Sequence, residues 1–124
     1  MTVHDMHLEI SETIEADAAA IYALISDLPR MGEWSTENIG GEWTSGTPGA
    51  VGSRFLGTNR IKSFEWSVPV EITVAEPDAC FEFVAAPDEG PYVRWTYRLE
   101  PLEMATRVTE IWDVMDLPPS LAKM

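Results

Sequence analysis

The chain has 124 residues, 45% of them apolar, with 21 acidic against 8 basic side chains and a net charge of −13. That length and apolar content fit one globular domain, residues 1–124, large enough to bury most of the surface its unfolded form exposes. So negative a field excludes nucleic acid and anionic membrane surfaces as expected partners, since both are bound through Lys and Arg that neutralise phosphates.

The elements follow in order. The segment from His7 to Glu15 alternates imperfectly, with Leu8, Ile10 and then Ile14, as a first strand. Asp17 is placed as the N-cap of a helix from Ala18 to Leu28, in which Ile21, Leu24, Ile25 and Leu28 recur at helical spacing. Pro29 stops it, and Arg30 to Trp34 reads as a second, short helical turn before Gly40-Gly41. A short strand, Gly41 to Thr44, leads into a Gly/Pro-rich loop. From Gly52 to Lys62 the chain alternates again, with Phe55, Gly57, Asn59 and Ile61 on one side and Arg54, Arg60 and Lys62 on the other. The strongest strand signal runs from Phe64 to Ala75, where Trp66, Val68, Val70, Ile72 and Val74 repeat every two residues. Cys80 to Ala85, Tyr92 to Glu100 and Thr106 to Met115 complete a set of strands joined by short turns, the pattern of an antiparallel meander. Residues 116–124 place prolines as at a helix start. A half-open sheet with an apolar inner face needs more cover than two short helices provide.

The polar start, Met1 to His7, lacks the basic and apolar regions of a secretory signal, and no apolar run approaches the roughly 20 residues that span a bilayer. A cytoplasmic protein without membrane insertion is expected. Cys80 stands alone and the histidines, His4 and His7, sit near the start, so neither an internal disulfide, a metal site nor a cofactor is expected. Cys80 itself reads as a small apolar residue. Arg54, Arg60 and Lys62 share parity and form either a solvated face paired with nearby Glu residues or a strip that steers an anionic ligand.

Five tryptophans, Trp34, Trp43, Trp66, Trp95 and Trp112, exceed what so small a core needs, and some are expected to line a cavity. The sequence as a whole resembles the START-like superfamily, also called SRPBCC or Bet v 1-like, and within it the bacterial polyketide cyclase/dehydrase and lipid-transport group. The resemblance is carried by Ile14-Glu15-Ala16-Asp17, Arg30-Met31-Gly32-Glu33-Trp34-Ser35, Val51-Gly52-Ser53-Arg54-Phe55 with Gly57 and Asn59, Trp95 to Pro101, and Thr106 to Trp112. It implies an α+β helix-grip fold: a curved antiparallel sheet of about seven strands, two short helices after the first strand, and a long C-terminal helix that this chain has missing or truncated. An uncovered apolar face of that kind would suit a homodimer.

The resemblance further implies that one parity of each strand faces a ligand tunnel. Trp34, Phe55, Gly57, Asn59, Trp66, Val68, Phe83, Trp95, Tyr97, Glu110 and Trp112 are the resulting cavity candidates, and core packing is the commoner role for apolar residues that alternate on a strand. Trp34 either gates the tunnel or packs under the short helix. Asn59 and Glu110 are polar groups on an otherwise apolar face; they either orient a ligand or bond each other, Arg94 or Arg98. A carboxyl enclosed by apolar groups has a raised pKa, which makes Glu110, with Asn59 or Tyr97, the candidate for acid–base work. Three functions remain open: binding of a small hydrophobic molecule such as a lipid, polyketide or isoprenoid-like compound, catalysis as a polyketide aromatase/cyclase or dehydratase, and a protein-interaction or regulatory module.

Overall fold

Seven strands and two helical segments succeed one another in a computed structural model that describes residues 6–33, 38–88 and 93–114. Strand β1, Met6–Ile14, carries Leu8, Ile10, Glu12 and Ile14 on one side and His7, Glu9, Ser11 and Thr13 on the other, as the two-residue repeat of an extended chain requires. Helix α1, Ala18–Ser26, begins at Asp17, whose Oδ1 accepts from the Ala20 N–H at 2.8 Å and satisfies one of the donors a helix start leaves free. Ala18, Ile21 and Ile25 form its buried stripe. It ends two residues before the expected Leu28. Leu28–Glu33 tighten into a 3-10 helix, because Pro29 lacks an N–H and restricts the residue before it.

The remaining strands are β2 (Asn38–Ser45), β3 (Arg54–Ile61), β4 (Phe64–Glu76), β5 (Cys80–Ala85), β6 (Val93–Leu102) and β7 (Ala105–Val114). All pair antiparallel in one curved sheet of order β1-β7-β6-β5-β4-β3-β2, with α1 packed on β5 and β6. The order of one strand, two helical segments and six strands is that of the expected α+β helix-grip fold. The helix expected after residue 115 lies outside the described residues.

Tight hairpins set the registers. Ile61 pairs with Phe64 and Leu102 with Ala105, leaving two-residue turns in which Lys62 (φ +57°) and Met104 (φ +64°) adopt left-handed backbone. Lys62 therefore leaves the strand and does not share a face with Arg54. Arg54 bonds Glu71 at 3.1 Å and Asp88 at 2.8 Å, so this part of the basic strip is a paired, solvated surface.

The two-residue repeat of β4 is interrupted. Ile72 pairs with Phe83 but Val74 with Glu82, so Thr73 is an extra residue in the ladder, and beyond it Ala75 rather than Val74 faces the core. The bulge is held by the Thr73 hydroxyl, which donates to Glu82 Oε1 at 2.8 Å. Thr96 donates to the other oxygen of the same carboxylate at 3.0 Å. The expected clean alternation through Val74 thus fails at one position, because a bulge depends on the partner strand and leaves the residue pattern unchanged.

At the opposite edge, Gly41 and Gly57 pair and leave room for the Phe55 ring. A Cβ on Gly41, whose φ is +151°, would lie 2.2 Å from the Leu56 carbonyl oxygen and 2.7 Å from the ring. The ring instead meets Trp43 edge-on at a centroid distance of 5.1 Å. The core runs from there through Val70, Ile72, Phe81, Phe83 and Leu99 to α1, with Phe81 and Ile72 wholly buried. Burying such a side chain contributes about 1.5–3 kcal/mol. Tyr22 packs edge-on against Phe81 at 6.0 Å, and Cys80 is half-buried, its thiol pushed up first by burial and then by the charge of Glu76, as suits an inert packing residue.

Candidate functional site

Where β1, β6 and β7 pass beneath α1 they enclose a cavity of about 550 Å³. That volume falls within the roughly 300–1,000 Å³ of small-molecule sites. Its walls are apolar: Ile10 and Ile14 of β1, Val108 of β7, and Ile21, Leu24 and Ile25 of α1. The small side chains of Ala16 and Ala20 keep the space between helix and sheet open.

Among the described residues three polar side chains interrupt this wall, Glu12, Tyr97 and Glu110. Their positions follow from register. Ile10 pairs with Glu110 and Glu12 with Val108, so the two carboxylates are diagonal neighbours on one face, at the roughly 7–8 Å usual for such pairs. Tyr97 lies directly opposite Glu110 on the next strand, and its phenol donates to that carboxylate. Burial first, then the charge and hydrogen bond of Glu110, push the Tyr97 hydroxyl well above the usual tyrosine range, so it stays protonated at neutral pH.

A smaller hollow of about 190 Å³ adjoins, lined by Leu8, Ile10, Trp95, Glu110 and Trp112. Trp95 and Trp112 face each other across the β6–β7 ladder, Trp112 faces Leu8, and Trp95 stacks on Phe83 at 5.4 Å. Ile10 and Glu110 border both hollows. The rim on β1 is open, with Ile10 62% and Leu8 50% exposed.

A family model described as polyketide cyclase/dehydrase and lipid transport matches residues 5–123. The chain belongs to the polyketide cyclase/dehydrase and lipid-transport family. Among solved structures it is similar to the polyketide-cyclase-like protein Cgl2372 from Corynebacterium glutamicum, at 34% identity and a TM-score of 0.67, covering 96% of this chain and 70% of that one. Major latex-like protein 151 from Panax ginseng shares 17% identity, with a TM-score of 0.73 over 93% of this chain and 82% of its own. Protein CV1439 from Chromobacterium violaceum shares 11%, with a TM-score of 0.73 over 95% and 87%. The last two establish the common fold alone. No curated protein sequence matches.

The inner-parity residues of the strands are distributed unevenly over the molecule. Tyr97 and Glu110 line the larger cavity, and Trp95, Glu110 and Trp112 the smaller one. Phe55 and Phe83 are core residues at 3% and 5% exposure, and Val68 packs against that core. Trp66 is half-buried and stacks on Phe64 at 5.4 Å near the β3–β4 turn. Asn59 pairs in register with Asn38 and Trp66, and β4, β5 and β6 stand between it and β7. Of the alternatives open for these two polar residues, a bond between Asn59 and Glu110 is therefore not formed; Glu110 is partnered by Tyr97. Arg94 bonds Asp113 at 3.3 Å on the convex face, away from Glu110. Arg98 is exposed on that same convex parity. Trp34 lies outside the described residues.

Sequence reasoning missed the contribution of β1 and α1. Glu12 was the residue that made the first strand look irregular, and it is the residue that places a second carboxylate in the cavity. The signal that could have found it is its parity with Leu8, Ile10 and Ile14. Among the described residues no group of three His, Cys, Asp or Glu side chains is placed to hold a metal, and no helix is long and apolar enough to cross a membrane.

Proposed function

We propose that the chain binds a small or medium apolar molecule, of lipid, polyketide or isoprenoid type, in the hollow between α1 and the β1–β7–β6 sheet. The observation that carries this is the cavity of about 550 Å³ with an almost entirely aliphatic wall, open at the β1 rim. Trp95 and Trp112 extend the apolar surface beyond the cavity, with Tyr97 and Glu110 supplying the polar contact. Family membership supports the ligand class. Phe55, Asn59, Trp66, Val68 and Phe83 shape the rest of the concave face in this reading, and a small molecule rather than nucleic acid is the partner of a cytoplasmic, single-domain protein that forms homodimers. Replacement of Trp112 by Ala tests it: binding of a neutral apolar dye such as Nile red should weaken in a folded variant, and unchanged affinity would remove Trp112 from the site.

The hydrogen bond between Tyr97 and Glu110 favours a second reading, an aromatase/cyclase or dehydratase. Glu110 would take a proton from an enolisable substrate held against the aliphatic wall, and Tyr97 would fix the carboxylate's orientation. Turnover of a polyketide-like substrate should fall sharply in Glu110→Gln; full turnover would reject this role.

A further inference from the structure

The polar groups of the cavity can be counted by what they offer a ligand. Glu12 and Glu110 present carboxylates, which accept hydrogen bonds and donate none. Tyr97 has one proton, and its hydrogen bond to Glu110 uses it. Glu12 forms no hydrogen bond or ion pair with any described residue. The backbone N–H groups of the lining residues Ala16, Ala20 and Ile21 are already donated, to Ile14 O, Asp17 Oδ1 and Asp17 O.

Among the described residues no cation offsets these acceptors. His7, Arg94, Arg98 and Arg107 belong to the three strands of the site, but strand alternation puts all four on the convex side. There His7 and Arg94 are engaged with Asp113. Among the described residues the lining of both hollows contains no Lys, Arg or His. An anionic head group entering between Glu12 and Glu110 would meet like charge in a partly desolvated space, which is strongly unfavourable. A donor or cationic head group would meet Glu12, which has no donor among the described residues, and the lone pairs of Glu110 that Tyr97 does not use.

We infer that the cavity selects apolar molecules that carry a hydrogen-bond donor or a protonated amine, and rejects carboxylates of the same shape, fatty acids included. This rests on the cavity being the ligand site. Within that reading, it turns a general apolar hollow into one with a defined head-group preference, written by Glu12 and Glu110.

The test uses Nile red, whose binding reports an apolar site without reference to head-group charge, displaced by 1-adamantylamine, 1-adamantanol and adamantane-1-carboxylate. The amine and the alcohol should displace the dye at least about tenfold better than the carboxylate. Glu12→Gln, at an exposed position with no hydrogen bond or ion pair to a described residue, should narrow that ratio, and Glu12→Gln with Glu110→Gln should nearly abolish it. Glu65→Gln, which removes an exposed carboxylate from β4, should leave the ratio unchanged and so separates the site from the protein's overall negative charge. Equal displacement by the carboxylate, or a ratio untouched by the Glu12 variants, overturns the head-group inference while leaving the apolar site standing. Failure of Nile red to bind at all overturns the ligand site itself, and the inference with it.

Discussion

Tyr97 and Glu110 face each other across the β6–β7 ladder, and the phenol donates to the carboxylate at the floor of an aliphatic cavity. A buried hydroxyl gains most when its acceptor is charged, and a carboxylate facing apolar walls gains when a donor replaces lost water. Each group thus stabilises the other in a place where neither would be comfortable alone. Removing the hydroxyl in Tyr97→Phe should cost about 1.5–3 kcal/mol in urea-induced unfolding. The same variant should remove one strongly alkaline tyrosine ionisation step seen by ultraviolet absorbance. In Glu110→Gln that step should persist but move down, because burial still acts on the phenol while the neighbouring charge is gone.

The space beneath α1 depends on a small side chain at Ala20. Leucine is nearly as good a helix former as alanine, and Ala20 is exposed on its outer side. Ala20→Leu should therefore change unfolding stability by no more than about 0.5 kcal/mol while filling the cavity and weakening Nile red binding several-fold. Retention of full affinity would place the dye elsewhere.

The Phe55 ring lies where a Cβ on Gly41 would be. Gly41→Ala should destabilise by about 2–4 kcal/mol, combining backbone strain at positive φ with a clash against the sheet. Gly49 is a control, since it too has positive φ, +85°, but nothing within 4 Å of the added atom. Gly49→Ala should cost only about 1 kcal/mol. Chemical denaturation of the two variants gives the comparison directly.

His7 ties the edge strand β1 to β7 through Asp113, with Glu9 as a second partner. Those hydrogen bonds raise the His7 pKa, first through Asp113 and then Glu9, whereas the bond from His7, reinforced by Arg94, lowers that of Asp113. A raised histidine pKa stabilises the fold at pH below the unfolded-state value and loses that effect as pH rises through the folded-state value. A lowered carboxyl pKa stabilises above its unfolded-state value and loses that effect as pH falls through the folded-state one. The clamp is therefore strongest at mildly acidic pH, and thermal stability should decline on going from about pH 5 to pH 8 in the wild type. His7→Gln should flatten that decline; an identical slope in the variant would show that other groups govern it.

Much of the fold was legible because β-branched and aromatic residues alternate strongly in the later strands, and because Asp17 and Pro29 mark the start and end of the first helix. The site was less so. Tyr97 and Glu110 each stood on an inner face by parity, but their partnership depends on which residue of β6 lies opposite which of β7, and the Glu103-Met104 turn sets that register. Glu12 was hidden for a different reason. Its cavity exists only because β1 pairs with β7, a contact between the first and last strands of the described chain that no local pattern announces. The Thr73 bulge likewise becomes visible only when Glu82 is placed beside it.

The central claim, an apolar ligand under α1, is tested most directly by native mass spectrometry of the purified protein, followed by solvent extraction, alongside the Ala20→Leu variant. The expected result is a discrete apolar molecule, bearing a hydroxyl or amine, that accompanies the wild-type chain and is absent from the folded variant. A wild-type protein that is folded, empty and unable to take up Nile red would contradict the claim.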